Sequence, residues 1–211
     1  MPSKFSEKHI FSDYTNKLNQ ALKTIDQKAL DIFYSEIKKR INLKGSIYFF
    51  GNGGSLANCE HIVGDFRKTL LFGSKGINIQ SLGGNLAYLT AVANDLDFNE
   101  VFSITIKNIV TIDDLIIYLS GSGNSCNLVK CAQAAKEIGI KQASVTGYNG
   151  GILKELSDIS IHINFPDMEI IEDCQMIIFH YMKQRLIDDI LENDPELVNK
   201  YKKRVSEDLV A

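Results

Sequence analysis

Four titratable side chains in two stretches of the chain could do chemistry together. His61 and Asp65 are four apart, so on a helix they share a face. Glu172 and His180 are eight apart, two turns of a second helix, and His180 sits among Ile177, Ile178, Phe179, Tyr181 and Met182, which predicts a buried imidazole. Two histidines and two carboxylates suit zinc or another divalent cation if the helices converge. A histidine on an apolar helix is more often a satisfied core residue, and spacing alone does not separate the two readings. Asn94 and Asp95, after Ala91 to Ala93, read equally as a closing edge of the same site or as a helix C-terminal turn.

A second kind of chemistry lies in two glycine-bearing loops. Gly51-Asn52-Gly53-Gly54-Ser55 follows the apolar run Ile47 to Phe50, and Ser120-Gly121-Ser122-Gly123-Asn124-Ser125 follows Leu115 to Leu119. Each leads into a helical pattern. Glycines let backbone amides approach an anion, a helix N-terminus presents unpaired N–H groups, and serine hydroxyls add donors, a combination suited to a phosphate monoester. Neither loop has a lysine, which argues against a nucleotide P-loop, and neither carries GxGxxG. A small phosphorylated ligand fits. The competing reading of one such loop is a tight βα turn, at about even odds, and two serine-rich copies lower it.

The elements that must position these residues follow from periodicity. Residues 8 to 43 show helical spacing, with Tyr14, Leu18 and Leu22, then Leu30, Phe33, Ile37 and Ile41, which predicts two helices broken near Thr24 to Gln27. Lys44-Gly45 is a helix stop. Strand-length apolar runs then occupy Ser46 to Phe50, Ile77 to Leu82, Leu115 to Leu119, Gln142 to Thr146 and Ile159 to Phe165, alternating with helical stretches at 55–70, 86–94, 99–109 and 125–138, the last stopped by Gly139. That alternation predicts a parallel sheet. A long apolar helix over 168–191 and a polar helical tail over 195–209 close the chain. We expect an N-terminal helical arm packing on the domain at 1–44, one α/β domain at 45–191 and the tail at 192–211.

Composition narrows the function class. The 211 residues carry 23 basic and 26 acidic side chains, a net charge of −3, which excludes a nucleic-acid binder working by bulk charge. No run reaches the ~20 apolar residues of a membrane span, and Met1 to Lys8 is too polar for a signal peptide, so a cytoplasmic protein is expected. The 4 cysteines have no CxxC spacing and read as free thiols.

Taken together, GNGGS at 51–55 with His61 behind it, AVANDLDFNEVFS at 91–103, SGSGNS at 120–125, VTGYNGG at 145–151 and a late helix carrying Glu172 and His180 resemble the sugar isomerase (SIS) domain, and within it the phosphoheptose isomerase family. The resemblance covers roughly residues 10–190. It implies a three-layer α/β sandwich with a five-stranded parallel, flavodoxin-like sheet, assembled as a homotetramer with sites at subunit interfaces. It implies that Asn52, Gly53, Gly54, Ser55, Ser120, Gly121, Ser122 and Ser125 contact a phosphorylated sugar, with Asn94, Asp95 and Glu172 also on the substrate. It implies a divalent metal, zinc by preference, held by His61, Asp65, Glu172 and His180, with Asp65 and His180 transferring protons in an aldose–ketose isomerisation of a heptulose phosphate that feeds surface polysaccharide. The chain departs from the family at Asp65 and Glu172, where a glutamate and a glutamine are usual, at Gly121, usually threonine, and at Glu169, usually aspartate. Asp65 is short of glutamate by ~1.5 Å, one carbon–carbon bond. A non-catalytic member of the same fold, which partners the bacterial replication initiator, supplies the alternative of a phosphosugar-binding scaffold; retention of His61 and His180 argues against it.

Overall fold

A computed structural model describes residues 10–73, 77–193, 199 and 203. Met1 to Lys8 and, apart from residues 199 and 203, the tail beyond 193 lie outside the described residues. Two helices open the chain, α1 (Phe11–Leu22) and α2 (Gln27–Leu43). Asp26 caps α2 by accepting from the Lys28 amide, and Lys44 ends it at φ 58° with Gly45 behind. The sheet then builds as β1 (Ile47–Phe50), α3 (Gly53–Gly73), β2 (Ile79–Ser81), α4 (Leu86–Asp95), a 3-10 turn at Phe98–Glu100, α5 (Ser103–Ile109), β3 (Leu115–Ser120), α6 (Cys126–Ile138), β4 (Lys141–Thr146), α7 (Gly151–Leu156), β5 (Ile159–His162) and α8 (Met168–Asn193).

All five strands are parallel in the order β2-β1-β3-β4-β5, with Ile47 level with both Ile79 and Leu115. The chain therefore reverses its direction of growth between β1 and β3, the place where open α/β sheets bind ligands. Alternate strand residues feed two cores. Phe49, Leu115, Ile117 and Val145 face α1, α2, α3 and α8, while Tyr48, Phe50, Ile116 and Tyr118 face α5, α6 and α7. α2 is thus part of a covering layer: Phe33 meets Phe179 of α8 edge-on at 5.7 Å, and Phe179 also meets Phe49 at 5.4 Å and Phe66 at 6.3 Å.

Several boundaries differ from the sequence reading. β2 and β5 are shorter than expected, and the stretch at 99–109 begins with a 3-10 turn and becomes α-helical only at Ser103. α7 was not foreseen. The four cysteines are free, three of them buried, and no helix of the described residues is long and apolar enough to cross a membrane.

Candidate active site

β1 and β3, paired at the centre of the sheet, each release a glycine loop into a helix. Both loops border one cleft of about 280 Å³, lined by Asn52, Gly53, Gly54 and Ser55 from the first and Ser120, Gly121, Ser122 and Ser125 from the second, with Glu172 across from them. Leu119, Leu128 and Met168, which sequence reasoning did not assign to the site, complete it.

The loops are locked to each other. Asn52 Nδ2 donates to Asn127 Oδ1 at 2.8 Å and Asn127 Nδ2 donates back to Asn52 Oδ1 at 2.9 Å. Within the second loop the Gly123 amide donates to Ser120 Oγ at 3.0 Å and the Asn124 amide to Ser122 Oγ at 3.2 Å. Ser125 is the N-cap residue of α6 and makes no side-chain cap bond. Gly123 sits at φ 67°, and a Cβ there would strike the Gly150 carbonyl. At Gly121 a side chain would meet the Met168 sulfur, so Met168 fills the space a threonine would use.

From the cleft, α3 and α8 run side by side in parallel, matching residues in a ladder. The Ser55 backbone faces the Glu172 carboxylate across the cleft. One step on, Asn58 Nδ2 donates to the Glu172 carbonyl at 3.0 Å and to Gln175 Oε1 at 3.1 Å. Next His61 Nε2 and His180 Nε2 stand 3.4 Å apart, and both lie 3.6 Å from Asp65 Oδ2. Lys183 Nζ ends the ladder 2.8 Å from the same oxygen.

The structure therefore brings His61, Asp65 and His180 together. Glu172, expected as a fourth ligand, stands apart from this trio, two turns back at the N-terminus of α3, where a Cβ on Gly54 would collide with its carboxylate. The expectation that His180 is buried is corrected: its side chain is 50% exposed. α8 buries Ile171, Cys174, Gln175, Ile178, Phe179, Met182 and Leu186 at helical spacing, and His180 falls outside that stripe. Asn94 and Asp95 close α4, bonded to each other at 2.9 Å and outside the lining of the cleft.

The carboxylates are tuned in opposite directions. Burial pushes Glu172 up and the nearby Glu169 charge adds to this, against the Ser55 amide. Burial would also raise Asp65, but the Lys183 hydrogen bond and charge, joined by His61 and His180, outweigh it and hold the carboxyl below its usual range. Sequence reasoning missed Lys183, although its place three residues after His180 signals the same helical face; it also missed Asn127, for which the sequence carried no signal.

The family profile described as SIS domain matches residues 11–147. The chain belongs to the SIS family. A probable phosphoheptose isomerase of Thermoplasma volcanium is 31% identical to this SIS protein over 169 residues, 80% of this chain and 86% of that one. A phosphoheptose isomerase of Helicobacter pylori is 29% identical over 180 residues, 82% of this chain and 94% of its own. Among solved structures, a phosphoheptose isomerase from Neisseria gonorrhoeae superposes with a TM-score of 0.76 at 22% identity, over 83% of this chain and 95% of that chain, a likeness of fold.

Proposed function

We propose that this SIS protein is an aldose–ketose isomerase converting sedoheptulose 7-phosphate to D-glycero-D-manno-heptose 7-phosphate. The observation that carries the reading is a phosphate-type cradle and a His/His/Asp trio at two ends of one parallel helix pair. Their separation suits a seven-carbon sugar. From Ser55 to His61 is a rise of about 9 Å and from Glu172 to His180 about 12 Å. The six carbon–carbon bonds of an extended heptulose span about 7.5 Å before the phosphate is added, and the four of a pentulose about 5 Å. With its phosphate among Ser120, Ser122, Ser125 and the loop amides, a heptulose 7-phosphate would extend its carbonyl end further toward the trio than shorter ketose phosphates do.

The trio also fits a divalent cation, zinc by preference. Its three ligand atoms are 3.4 to 3.6 Å apart, close to the ~3.3 Å edge of a tetrahedron with metal–ligand bonds of about 2.0 Å. Three protein ligands are the pattern of catalytic zinc, and Glu172 would stay with the substrate. Bound there, zinc supplies Lewis acidity toward the carbonyl and hydroxyl oxygens. The proton work belongs to side chains. Asp65 takes the proton from the carbon bearing the terminal hydroxyl through its oxygen not bound to metal; the electron pair passes to an enediolate; the hydroxyl proton passes to the neighbouring oxygen; and His180, when its imidazole is off the metal, returns a proton to the former carbonyl carbon. The two loops exclude rotation of the phosphate end while this happens.

Assembly as a homotetramer is part of the proposal. α4 buries none of its residues, although Leu86 is 69% exposed and the adjoining Leu96 64%, so it suits a subunit contact. Asn94 and Asp95 would then serve a neighbouring subunit's sugar. The setting proposed is the cytoplasm, with product supplied to surface polysaccharide. The test is an assay for aldose formation across heptulose, hexulose and pentulose phosphates. Turnover is expected with the heptulose first. Binding of heptose phosphates without aldose from any substrate would overturn the enzyme in favour of a scaffold.

A further inference from the structure

The trio holds a fourth member whose charge has the wrong sign for a cation site. Lys183 Nζ lies 2.8 Å from Asp65 Oδ2, the same oxygen that stands 3.6 Å from each imidazole. Lys183 and Asp65 are similarly sheltered, at 25% and 24% side-chain exposure, whereas His61 and His180 are at least half exposed. The Asp65 oxygen that stands against both imidazoles is therefore already paired with a cation on the same face of α8. A divalent ion bound by Asp65 Oδ2 and the two imidazoles would share that oxygen with an ammonium within hydrogen-bond reach, and like charges so close repel strongly.

We propose that Lys183 is a tethered competitor of the metal: it occupies Asp65 when the metal is absent, must swing away when the metal binds, and sets the metal affinity of the site. The proposal rests on reading His61, Asp65 and His180 as a divalent-metal site. Lysine suits the role because its four-carbon stem is flexible and its charge compact, so it can leave toward water without disturbing α8. It also gives the shortened Asp65 side chain a fixed partner when no metal orients it.

The test is a zinc titration of chelator-stripped protein against a chromophoric competitor. Lys183→Met is expected to bind zinc tighter by roughly ten- to a hundredfold, the range over which outer-shell partners tune metal sites, and Lys183→Arg, which keeps the charge, to gain far less. Zinc bound no more tightly, or more weakly, by Lys183→Met would overturn the proposal and make Lys183 a supporter of Asp65. Asp65→Asn separates the two layers: if it leaves zinc affinity unchanged, the metal site itself is wrong. A second readout uses the parent protein. Its lysines are reductively dimethylated with carbon-13, which keeps their charge, and the Lys183 resonance is assigned by its loss in Lys183→Arg. Adding zinc should move that resonance to the position of solvent-exposed lysines; a Lys183 signal that zinc leaves in place contradicts the swing.

Discussion

The two ends of the α3–α8 pair solve different problems with different materials. At the cleft end the functional groups are backbone amides and short hydroxyls fixed by helix starts, by the mutual amide pair of Asn52 and Asn127, and by Gly123 at φ 67°. At the far end two half-exposed imidazoles and the more sheltered Asp65 meet across two helices, with Lys183 paired to that carboxylate. In the proposed reading, binding is preorganised by the main chain, whereas chemistry is assembled from side chains whose geometry depends on what they hold. Substitutions at the far end should therefore damage turnover with little change in folding or substrate affinity, and substitutions in the cradle should do the reverse.

The largest effect is expected from Asp65→Asn. Removal of the charge that ligates and accepts the proton should lower kcat by about a thousandfold or more, with KM within a fewfold of the parent in steady-state assays. A loss shared equally with KM would break the division between the ends. Next is Gly123→Ala, where positive φ and the Gly150 carbonyl both oppose a Cβ. The expected cost is about 3 kcal/mol of stability, read by denaturant unfolding. A smaller effect follows for Ser122→Ala. Loss of one hydroxyl donor to phosphate should raise KM about tenfold, equivalent to ~1.4 kcal/mol, and leave kcat nearly unchanged.

How far the sequence already revealed these ends differs for a physical reason. Strand, glycine loop and helix start are local grammar, so Asn52 to Ser55 and Ser120 to Ser125 were legible from short stretches, as were the helix stops at Lys44 and Gly139, both of which adopt left-handed φ. The His61 and Asp65 spacing was equally local. What joins them to His180 is not: the phase of α8 is set by Phe179 entering an aromatic cluster of α2, β1 and α3, and a string of apolar neighbours concealed that His180 faces outward. Asn52 and Asn127 meet across 75 residues, which no pattern foretells. α7, six residues of GILKEL, is too short for periodicity to register.

The smallest expected effect is a pH dependence that probes how α8 is anchored beyond the trio. Burial would raise Asp189, but hydrogen bonds from Lys38 and Tyr34 of α2 overcome it and lower its pKa. A carboxylate lowered on folding stabilises the native state above its unfolded pKa of about 3.9, and that stability is lost as pH falls through the lower folded value. The thermal midpoint should accordingly decline below about pH 4, with a flatter decline in Asp189→Asn.

The assignment of chemistry to the far end is tested most directly by solvent exchange. Sedoheptulose 7-phosphate is incubated in deuterated water with the parent protein and with Asp65→Asn, and the sugar is examined by mass spectrometry and NMR. The parent should form the aldose with deuterium at C2 and, by reversal, place deuterium at C1 of the ketose, while Asp65→Asn should do neither although it still binds the phosphosugar. Unlabelled sugar and no aldose from the parent, or equal labelling by both proteins, would contradict it.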